Sequence, residues 1–274
     1  MLLAFNANNT NTLIGLCDRS AEHVIASWRL STSRERMADE WYAVLPPLLE
    51  AAGHNPSEVD AAIIASVVPP ATAALAAMVE RQFAVQPIIV GPDLDFGVRA
   101  RVDNPREVGP DRLANTVAAF ARYGGPAIVI DFGTATNFDV ISEAGDFIGG
   151  AIAPGLMVSL DALTGRAARL FSVDLAIPAS AIGTNTTTNL QAGAILGHLA
   201  MVEGLLRRIR TELGVEAPAI ATGGLASIIA HGSPAITHYE PALTLDGLRI
   251  IYQRVMAQGR QPAGKPHERN ASRS

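Results

Sequence analysis

The chain has 274 residues, of which 49% are hydrophobic and 17% charged, and its formal net charge is −5. This length suits one or two domains, and the mildly acidic balance lacks the basic excess that nucleic-acid binding usually requires. No apolar run approaches the roughly 18 residues of a membrane span, no signal-like segment opens the sequence, and a lone cysteine excludes an internal disulfide. We therefore expect a cytoplasmic protein with no nucleic-acid or membrane partner.

The first part of the chain predicts a β-β-β-α-β-α-β order. Apolar runs "MLLAF" and "TLIGLCD" flank a polar bend, and "HVIASWRLS" follows as a third strand. Helical spacing then predicts a helix over residues 35–52, which Gly53 ends, and another over "PATAALAAMVERQF". The runs "DAAIIASVVP" and "QPIIVG" are typical of short buried strands.

The first polar bend contains four asparagines within six residues, Asn6, Asn8, Asn9 and Asn11, together with Thr10. Successive backbone N–H groups and polar side chains in such a bend can surround a phosphate. Asparagine is equally common in ordinary hairpin turns. The bend alone leaves both interpretations open.

The segment "NPREVGPDRLAN" predicts a turn at Gly109 and Pro110 and then a helix that runs to about Tyr123. Asp111 lies at the start of this helix, where an acidic side chain is ordinarily a capping group. Arg112 beside it adds a guanidinium that could bind an anionic substrate, so Asp111 could also serve as a proton acceptor. The sequence supports both roles.

The same order restarts at Ala127 with strand "AIVIDFG", bend "TATN" and strands "FDVIS" and "FIGGAIAPG". Strand "APAIATGG", helix "LASIIAH" and strand "AITHYE" close the second half. Asn6 then corresponds to Asp131, an offset of about 125 residues that indicates an internal duplication. Asp131, Gly133 and the Thr134 hydroxyl are suited to hold a phosphate and its cation, although a simple hairpin with an Asx-turn is the alternative.

Two further segments are candidates for ligand contact. Glycines at the strand ends "GGAIAPG" and "TGG" allow close backbone approach to a ligand, or tight packing of a turn on a sheet. The run "IGTNTTTNLQAG", residues 182–193, predicts a helix start in which capping accounts for most of the hydroxyls. The six histidines show no metal-ligand spacing, and there is no Walker-type phosphate loop.

In this order, seven segments resemble the type III pantothenate kinase family over residues 2–256: "NTNTLIGL", "NPREVGPDRLAN", "IDFGTATNFDVI", "GGAIAPGL", "IGTNTT", "ATGGLA" and "LTLDGLRIIY". The resemblance implies an α/β fold of two related actin-like (ribonuclease H-like) lobes, each a mixed β-sheet flanked by helices, with a nucleotide cleft between them. We expect the lobes at residues 1–122 and 123–258, and a disordered tail at 259–274.

The implied activity is transfer of the γ-phosphate of ATP to pantothenate, the first step of coenzyme A biosynthesis. The resemblance also implies a homodimer that uses Mg²⁺ and a monovalent cation, K⁺ or NH₄⁺. It makes Asp111 the proton acceptor and Asp131 the ligand of the monovalent cation. The substrate-binding residues would be Gly109, Pro110, Asp111, Arg112 and Thr186. ATP phosphates would contact Thr134 and the first loop, which comprises Asn6, Ala7, Asn8, Asn9, Thr10, Asn11, Thr12 and Leu13.

Three departures separate the chain from the family pattern. The first loop of the family reads Asp-x-Gly-Asn-Thr, whereas Asn6 and Asn8 stand here in place of the aspartate and the glycine. Asn137 replaces a usual threonine, and Val102 lies near the place of a frequent tyrosine. Because phosphoryl transfer depends on charge neutralisation, the loss at Asn6 favours an alternative function, a catalytically impaired homologue with a ligand-binding or regulatory role. An actin-like filament protein is a more distant alternative, which the complete motif set opposes.

Overall fold

The computed structural model describes residues 1–18, 23–167, 170 and 173–259. Internal contacts divide the chain into two compact units. The first comprises Met1–Gly97, Gly109–Ala114 and the described residues from Leu245 onward, and the second comprises Val98–Val108 and Asn115–Thr244. The lobe limits of 1–122 and 123–258 stay a prediction, and the predicted tail lies, from residue 260, outside the described residues.

The first unit is built on a five-stranded mixed sheet of order β3-β2-β1-β4-β5. Strands β1, β2 and β3 are antiparallel neighbours, whereas β4 is parallel to β1 and β5 to β4. Side chains of β1 pack on α1 and α2 in a fully buried core. The elements are β1 (Leu2–Ala7), β2 (Asn11–Cys17), β3 (Val24–Ser31), α1 (Ala38–Ala51), β4 (Ala61–Ser66), α2 (Pro69–Phe83), β5 (Ile88–Ile89) and, at the end of the chain, α8 (Leu243–Ala257).

The second unit repeats this sheet with the order β10-β9-β6-β7-β8. One sheet face packs on α6, and the other packs on α3 (Pro110–Tyr123), whose first five residues belong to the first unit. A π-helical turn, Ala192–Leu196, joins α5 to α6. The elements are β6 (Ala127–Phe132), β7 (Ala135–Ile141), β8 (Phe147–Pro154), α4 (Leu156–Arg166), α5 (Thr186–Gln191), α6 (Gly197–Leu213), β9 (Ala219–Thr222), α7 (Ala226–Ile229) and β10 (His238–Tyr239).

The predicted duplication is confirmed by strand order and by the direction in which the strands pair. Strands β1 and β6 are each six residues long and begin 125 residues apart, at Leu2 and Ala127. Each forms a hairpin with the next strand, in which Asn6 pairs with Leu13 and Asp131 pairs with Asn137. Each also pairs in parallel with the fourth strand of its sheet. The predicted fold class, an α/β fold with two related mixed sheets flanked by helices, is therefore confirmed.

Several predicted limits are corrected by the structure. Ladder pairing continues into both polar bends, so only residues 8–10 and 133–134 lie outside the strands. The strands predicted in "QPIIVG" and "AITHYE" shrink to two residues each, because β5 and β10 are edge strands with one neighbour. Helix α1 begins at Ala38 rather than at residue 35. Directly before it, the Met37 N–H donates to the Glu40 carboxylate at 2.7 Å.

Cys17 is fully buried, as expected of a structural thiol. Burial raises the pKa of this thiol to about 12, so the reactive thiolate is scarce at neutral pH. In the described ranges, no helix is both long and apolar enough to cross a membrane.

Candidate active site

The first polar loop lies at the edge of the first sheet where β1 and β4 both end. These strands are parallel, with Asn6 opposite Ala65, and the Val67 N–H donates to the Ala7 carbonyl at 3.1 Å. The loop closes on itself, because the Asn8 N–H donates to the Asn11 carbonyl at 3.0 Å. A short hydrogen-bonded connection therefore presents its polar groups at the carboxyl end of two parallel strands, where α/β folds commonly bind ligands.

Two amide oxygens in this loop are buried without a hydrogen-bond partner. They are Oδ1 of Asn6, a residue that is 5% exposed, and Oδ1 of Asn8. A buried polar atom left unsatisfied is unfavourable by about 1–3 kcal/mol, so the pair is suited to a donor or a cation from outside the chain. Oxygen atoms are also the ligands that Mg²⁺ and Ca²⁺ prefer. These residues thus fit the magnesium that the family resemblance implied.

The turn that carries Asp111 lies at the same sheet edge. An added Cβ at Gly109 would be 3.7 Å from Cγ1 of Val67, which directly follows β4. Pro110 is the first residue of α3, a position where its fixed φ is favourable and its missing N–H is not needed. Within the first unit, the structure therefore brings residues 6–13 and the Gly109–Arg112 turn to one edge.

The carboxyl of Asp111 lies in the first turn of α3 and has a shifted pKa. Burial raises the pKa of Asp111, and the effect outweighs the opposing N–H and positive charge of Arg112. The Arg112 N–H donates to Oδ1 of Asp111 at 2.9 Å, which fixes the carboxyl at the helix start. A carboxylate with a raised pKa is a better proton acceptor than an exposed one, so capping and acid–base chemistry are compatible at this residue.

In the second unit, Asp131 lies at the corresponding edge, where β6 and β9 end. Asp131 is opposite Thr222, and the turn after β9 passes so closely that an added Cβ at Gly223 would lie 2.4 Å from Oδ1 of Asp131. Gly223 also has φ +95°, which disfavours any other residue. This backbone approach was among the possibilities that the sequence left open for "TGG".

Thr134 is held at the same edge by the end of β8. The Gly155 N–H donates to the Thr134 carbonyl at 3.1 Å, and an added Cβ at Gly155 would lie 2.3 Å from that oxygen. Asp131, Thr134 and the two glycine turns thus share one edge of the second sheet. Backbone of this kind can approach a phosphate closely.

Thr186 is the first residue of α5 and is exposed. Asn185 is the N-cap, and its side chain accepts from the Thr188 N–H at 3.0 Å. Capping therefore accounts for Asn185 and Thr188, as the default interpretation of this run predicted. It does not use the Thr186 hydroxyl.

An apolar cavity of about 390 Å³ lies between α4, α5 and α6 in the second unit. Most of its wall is aliphatic, including Leu156, Leu160 and Met201, and His198 is one of its few polar residues. His198 was missed by the sequence analysis, because an isolated histidine on a helix has no motif. Within the described part of the chain, no three His, Cys, Asp or Glu side chains converge on a metal site.

The family model for type III pantothenate kinase matches residues 2–208. The chain belongs to the type III pantothenate kinase family. Curated relatives with that name include one from Thermomicrobium roseum, 50% identical over 93% of this chain and 98% of the relative. Another, from Roseiflexus castenholzii, is 49% identical over 92% of this chain and 98% of the relative. A third, from Acidobacterium capsulatum, is 48% identical over 96% of this chain and 98% of the relative.

Solved structures that resemble this type III family member are more distant in sequence and show the fold alone. A Campylobacter jejuni protein, described as a candidate Baf family transcriptional activator, has a TM-score of 0.58 at 16% identity and covers 94% of this chain and 98% of its own. A candidate 2-dehydro-3-deoxygalactonokinase from Sinorhizobium meliloti has a TM-score of 0.56 at 14% identity, with 98% and 99% covered. Both span nearly the whole chain, which agrees with the predicted two-part architecture.

Proposed function

We propose that this pantothenate kinase uses Asp111 as the proton acceptor for the pantothenate hydroxyl. The hydroxyl oxygen forms a bond to the γ-phosphorus of ATP, the bond from that phosphorus to the β-γ bridging oxygen breaks, and ADP leaves. Asp111 takes the hydroxyl proton, and the products are ADP and 4′-phosphopantothenate. The observation that supports this proposal is the raised pKa of Asp111 at a sheet edge shared with the first polar loop.

The neighbouring residues of the turn bind the rest of pantothenate. Arg112 provides a guanidinium for the substrate carboxylate, because a planar guanidinium binds carboxylates through two parallel hydrogen bonds. Gly109 and Pro110 contribute backbone next to Asp111 and Arg112, without bulky side chains that would obstruct the substrate. Thr186, exposed at the start of α5, contributes a hydroxyl to the pantothenate pocket.

The phosphates of ATP bind the first loop, residues 6–13, and Thr134 of the second loop. Asn6 and Asn8 would hold Mg²⁺ or its water ligands through their unpartnered oxygens, and Asp131 would hold K⁺ or NH₄⁺. When bound, these cations supply positive charge that neutralises the phosphates during transfer. The alternative of an impaired homologue, which Asn6 suggested from the sequence, gains no support from the comparisons.

A homodimer and a cytoplasmic location complete the proposal. The homodimer rests on the family resemblance and the location on the composition of the sequence. Sedimentation equilibrium of the purified chain should give twice the chain mass at micromolar concentration. A monomer under these conditions would contradict the dimer. Cell fractionation, with the activity recovered in the soluble fraction, checks the location.

The activity itself is tested with purified protein, pantothenate, ATP, Mg²⁺ and K⁺, by mass spectrometry of the products. We expect ADP and 4′-phosphopantothenate in equal amounts. Omission of pantothenate is the control, because ADP formed without it would report plain ATP hydrolysis. No phosphopantothenate at high enzyme concentration would overturn the proposal.

A further inference from the structure

A buried histidine holds the neck of the second phosphate loop. Nε2 of His198, near the start of α6, lies 3.0 Å from the Thr136 hydroxyl, within hydrogen-bonding distance. His198 is 8% exposed and Thr136 is 1% exposed, so water does not compete for this hydrogen bond. The histidine ring also lies against Phe132, with ring centroids 6.2 Å apart.

Thr136 occupies a critical position in the hairpin. It pairs with Phe132 in the last ladder pair before the loop, so the Phe132–Thr136 pair forms the neck from which Gly133 and Thr134 project. A side chain anchored at this pair restrains both ends of the loop. Only one residue separates Thr136 from Thr134, the proposed ATP contact.

The π-helical turn before α6 explains how His198 comes to face the sheet. A π-turn inserts one residue into a helix and rotates everything after it by about 100°, and such turns are frequent at functional sites. The turn Ala192–Leu196 ends directly before α6 begins at Gly197. His198 is the second residue of α6 and is followed by the core residues Leu199 and Val202. Without the extra residue, His198 would point in a different direction.

The interaction depends on a hydrogen bond and not on charge. Burial lowers the pKa of His198, so the imidazole is neutral near pH 7. A neutral imidazole nitrogen can donate or accept, and a hydroxyl can do the same, so the pair satisfies both buried groups. Any buried histidine needs a hydrogen-bond partner, and here that partner is the residue at the loop neck.

We propose that His198 is a positioning residue for the phosphate-binding loop, acting through Thr136 to hold Thr134 against the nucleotide. The proposal rests on the proposed role of Thr134 in ATP binding. It assigns His198 to ATP affinity and not to the chemistry at the pantothenate hydroxyl.

The test compares His198→Leu, His198→Gln, Thr136→Val and the Leu/Val double variant. We expect His198→Leu to raise the KM for ATP about tenfold, the factor expected for one lost buried hydrogen bond, with little change in the KM for pantothenate. Thr136→Val should have a similar effect, and the double variant should be no worse than either single variant. His198→Gln, which can place an amide nitrogen or oxygen near the position of Nε2, should recover most of the affinity.

The control is His231→Gln, since His231 is an exposed histidine in the same unit whose Nδ1 lies 3.1 Å from the backbone carbonyl of Ser227. An unchanged KM for ATP in His198→Leu, additive losses in the double variant, or parallel losses for both substrates would overturn the proposal. If His198→Leu does not fold, the KM for ATP of Thr136→Val and of His198→Gln still tests the proposal. ATP affinity is also measured by calorimetry without pantothenate, so a failure of the kinase proposal remains distinguishable from a failure of this one.

Discussion

The carboxyl of Asp111 has opposite effects on catalysis and on folding stability. Burial raises its pKa, which favours proton transfer and disfavours the charged form in the folded protein. Because the folded pKa lies above the unfolded value, the stability that Asp111 contributes is fully present below the unfolded pKa. It is lost as the pH rises through the folded pKa, so ionised Asp111 destabilises the fold at neutral pH.

Replacing this carboxyl should separate activity from stability. We expect Asp111→Asn to lower kcat about 10²- to 10⁴-fold, the usual contribution of a general base. Its free energy of unfolding at pH 8 should equal or exceed that of the unsubstituted protein, and the difference should vanish near pH 3, where both side chains are neutral. Urea unfolding at the two pH values, beside steady-state kinetics, measures both effects.

Asp103→Asn is the matched control for Asp111, because Asp103 is exposed. It should change neither kcat nor stability appreciably. The pH dependence gives a second check, since kcat/KM of the unsubstituted enzyme should fall as the pH drops through the raised pKa of Asp111. A less stable Asp111→Asn at pH 8, or one that retains its rate, would contradict this account.

Asn6 should limit the affinity for Mg²⁺. Asn6→Asp places a carboxylate where the amide oxygen is buried without a partner, and we expect the half-saturating Mg²⁺ concentration to fall about 10- to 100-fold. Without metal the same variant should melt at a lower temperature, because the new carboxylate is buried and unpaired. The measurements are initial rates over a Mg²⁺ series and thermal unfolding in EDTA.

Asn9→Asp adds the same charge to the same loop at an exposed position, so it separates a local ligand effect from general loop electrostatics. It should move the Mg²⁺ requirement much less. Equal shifts in the two variants would mean that Asn6 has no special position relative to the metal.

At the scale of elements, helices α3 and α8 approach each other within the first unit at a glycine. An added Cβ at Gly247 would lie 2.0 Å from the carbonyl oxygen of Ala114. Both partners are rigid helix backbone, so neither can yield without shifting a helix. Because α3 starts with Pro110 and Asp111, this contact also positions the proposed base.

Gly247→Ala should therefore destabilise the protein by about 1–3 kcal/mol or more, as overpacking does. Gly204→Ala on α6 is the control, because an added Cβ there meets nothing within 4 Å. That change should stabilise by roughly 0.5–1 kcal/mol, since alanine is the better helix former. Chemical denaturation of the two variants, made side by side, measures both effects, and similar values would refute the steric argument.

The sequence was sufficient where a repeated local pattern determines the structure. Hydrophobic runs and polar bends located β1 and β6 and their 125-residue offset, because all of β1 and all of β6 except Asp131 are buried. The limits of the loops were not predictable, since ladder pairing extends through polar residues such as Asn6 and Asn11. The π-turn at Ala192–Leu196 and the His198–Thr136 bond depend on packing between segments 62 residues apart, which leaves no local signal.

For the whole molecule, ATP binding should appear as added thermal stability. A ligand that binds only the folded state at 100 times its Kd contributes about 2.7 kcal/mol. We expect Mg-ATP to raise the Tm, and K⁺ to raise it further if Asp131 holds a monovalent cation. In Asp131→Asn the K⁺ increment should disappear, whereas Asp161→Asn, a change at an exposed residue of α4, should retain it.

Thermal scans in Mg-ATP with K⁺, or with tetramethylammonium as an inert cation, measure this increment. A K⁺ effect that persists in Asp131→Asn would place the monovalent cation elsewhere.

The equal lengths of β1 and β6 and the shared strand order of their sheets have a consequence for how the protein changes over generations. A duplicated hairpin gives the enzyme two copies of one polar loop, both proposed to bind phosphate, and the copies need not bear the same selective constraint. Asp131 is closely surrounded by backbone at Gly223, whereas the three-residue loop after β1 contains exposed Asn9 and Thr10. A deep mutational scan for growth should therefore tolerate more substitutions at residues 8–10 than around Asp131, which makes the first hairpin the copy with greater evolutionary freedom.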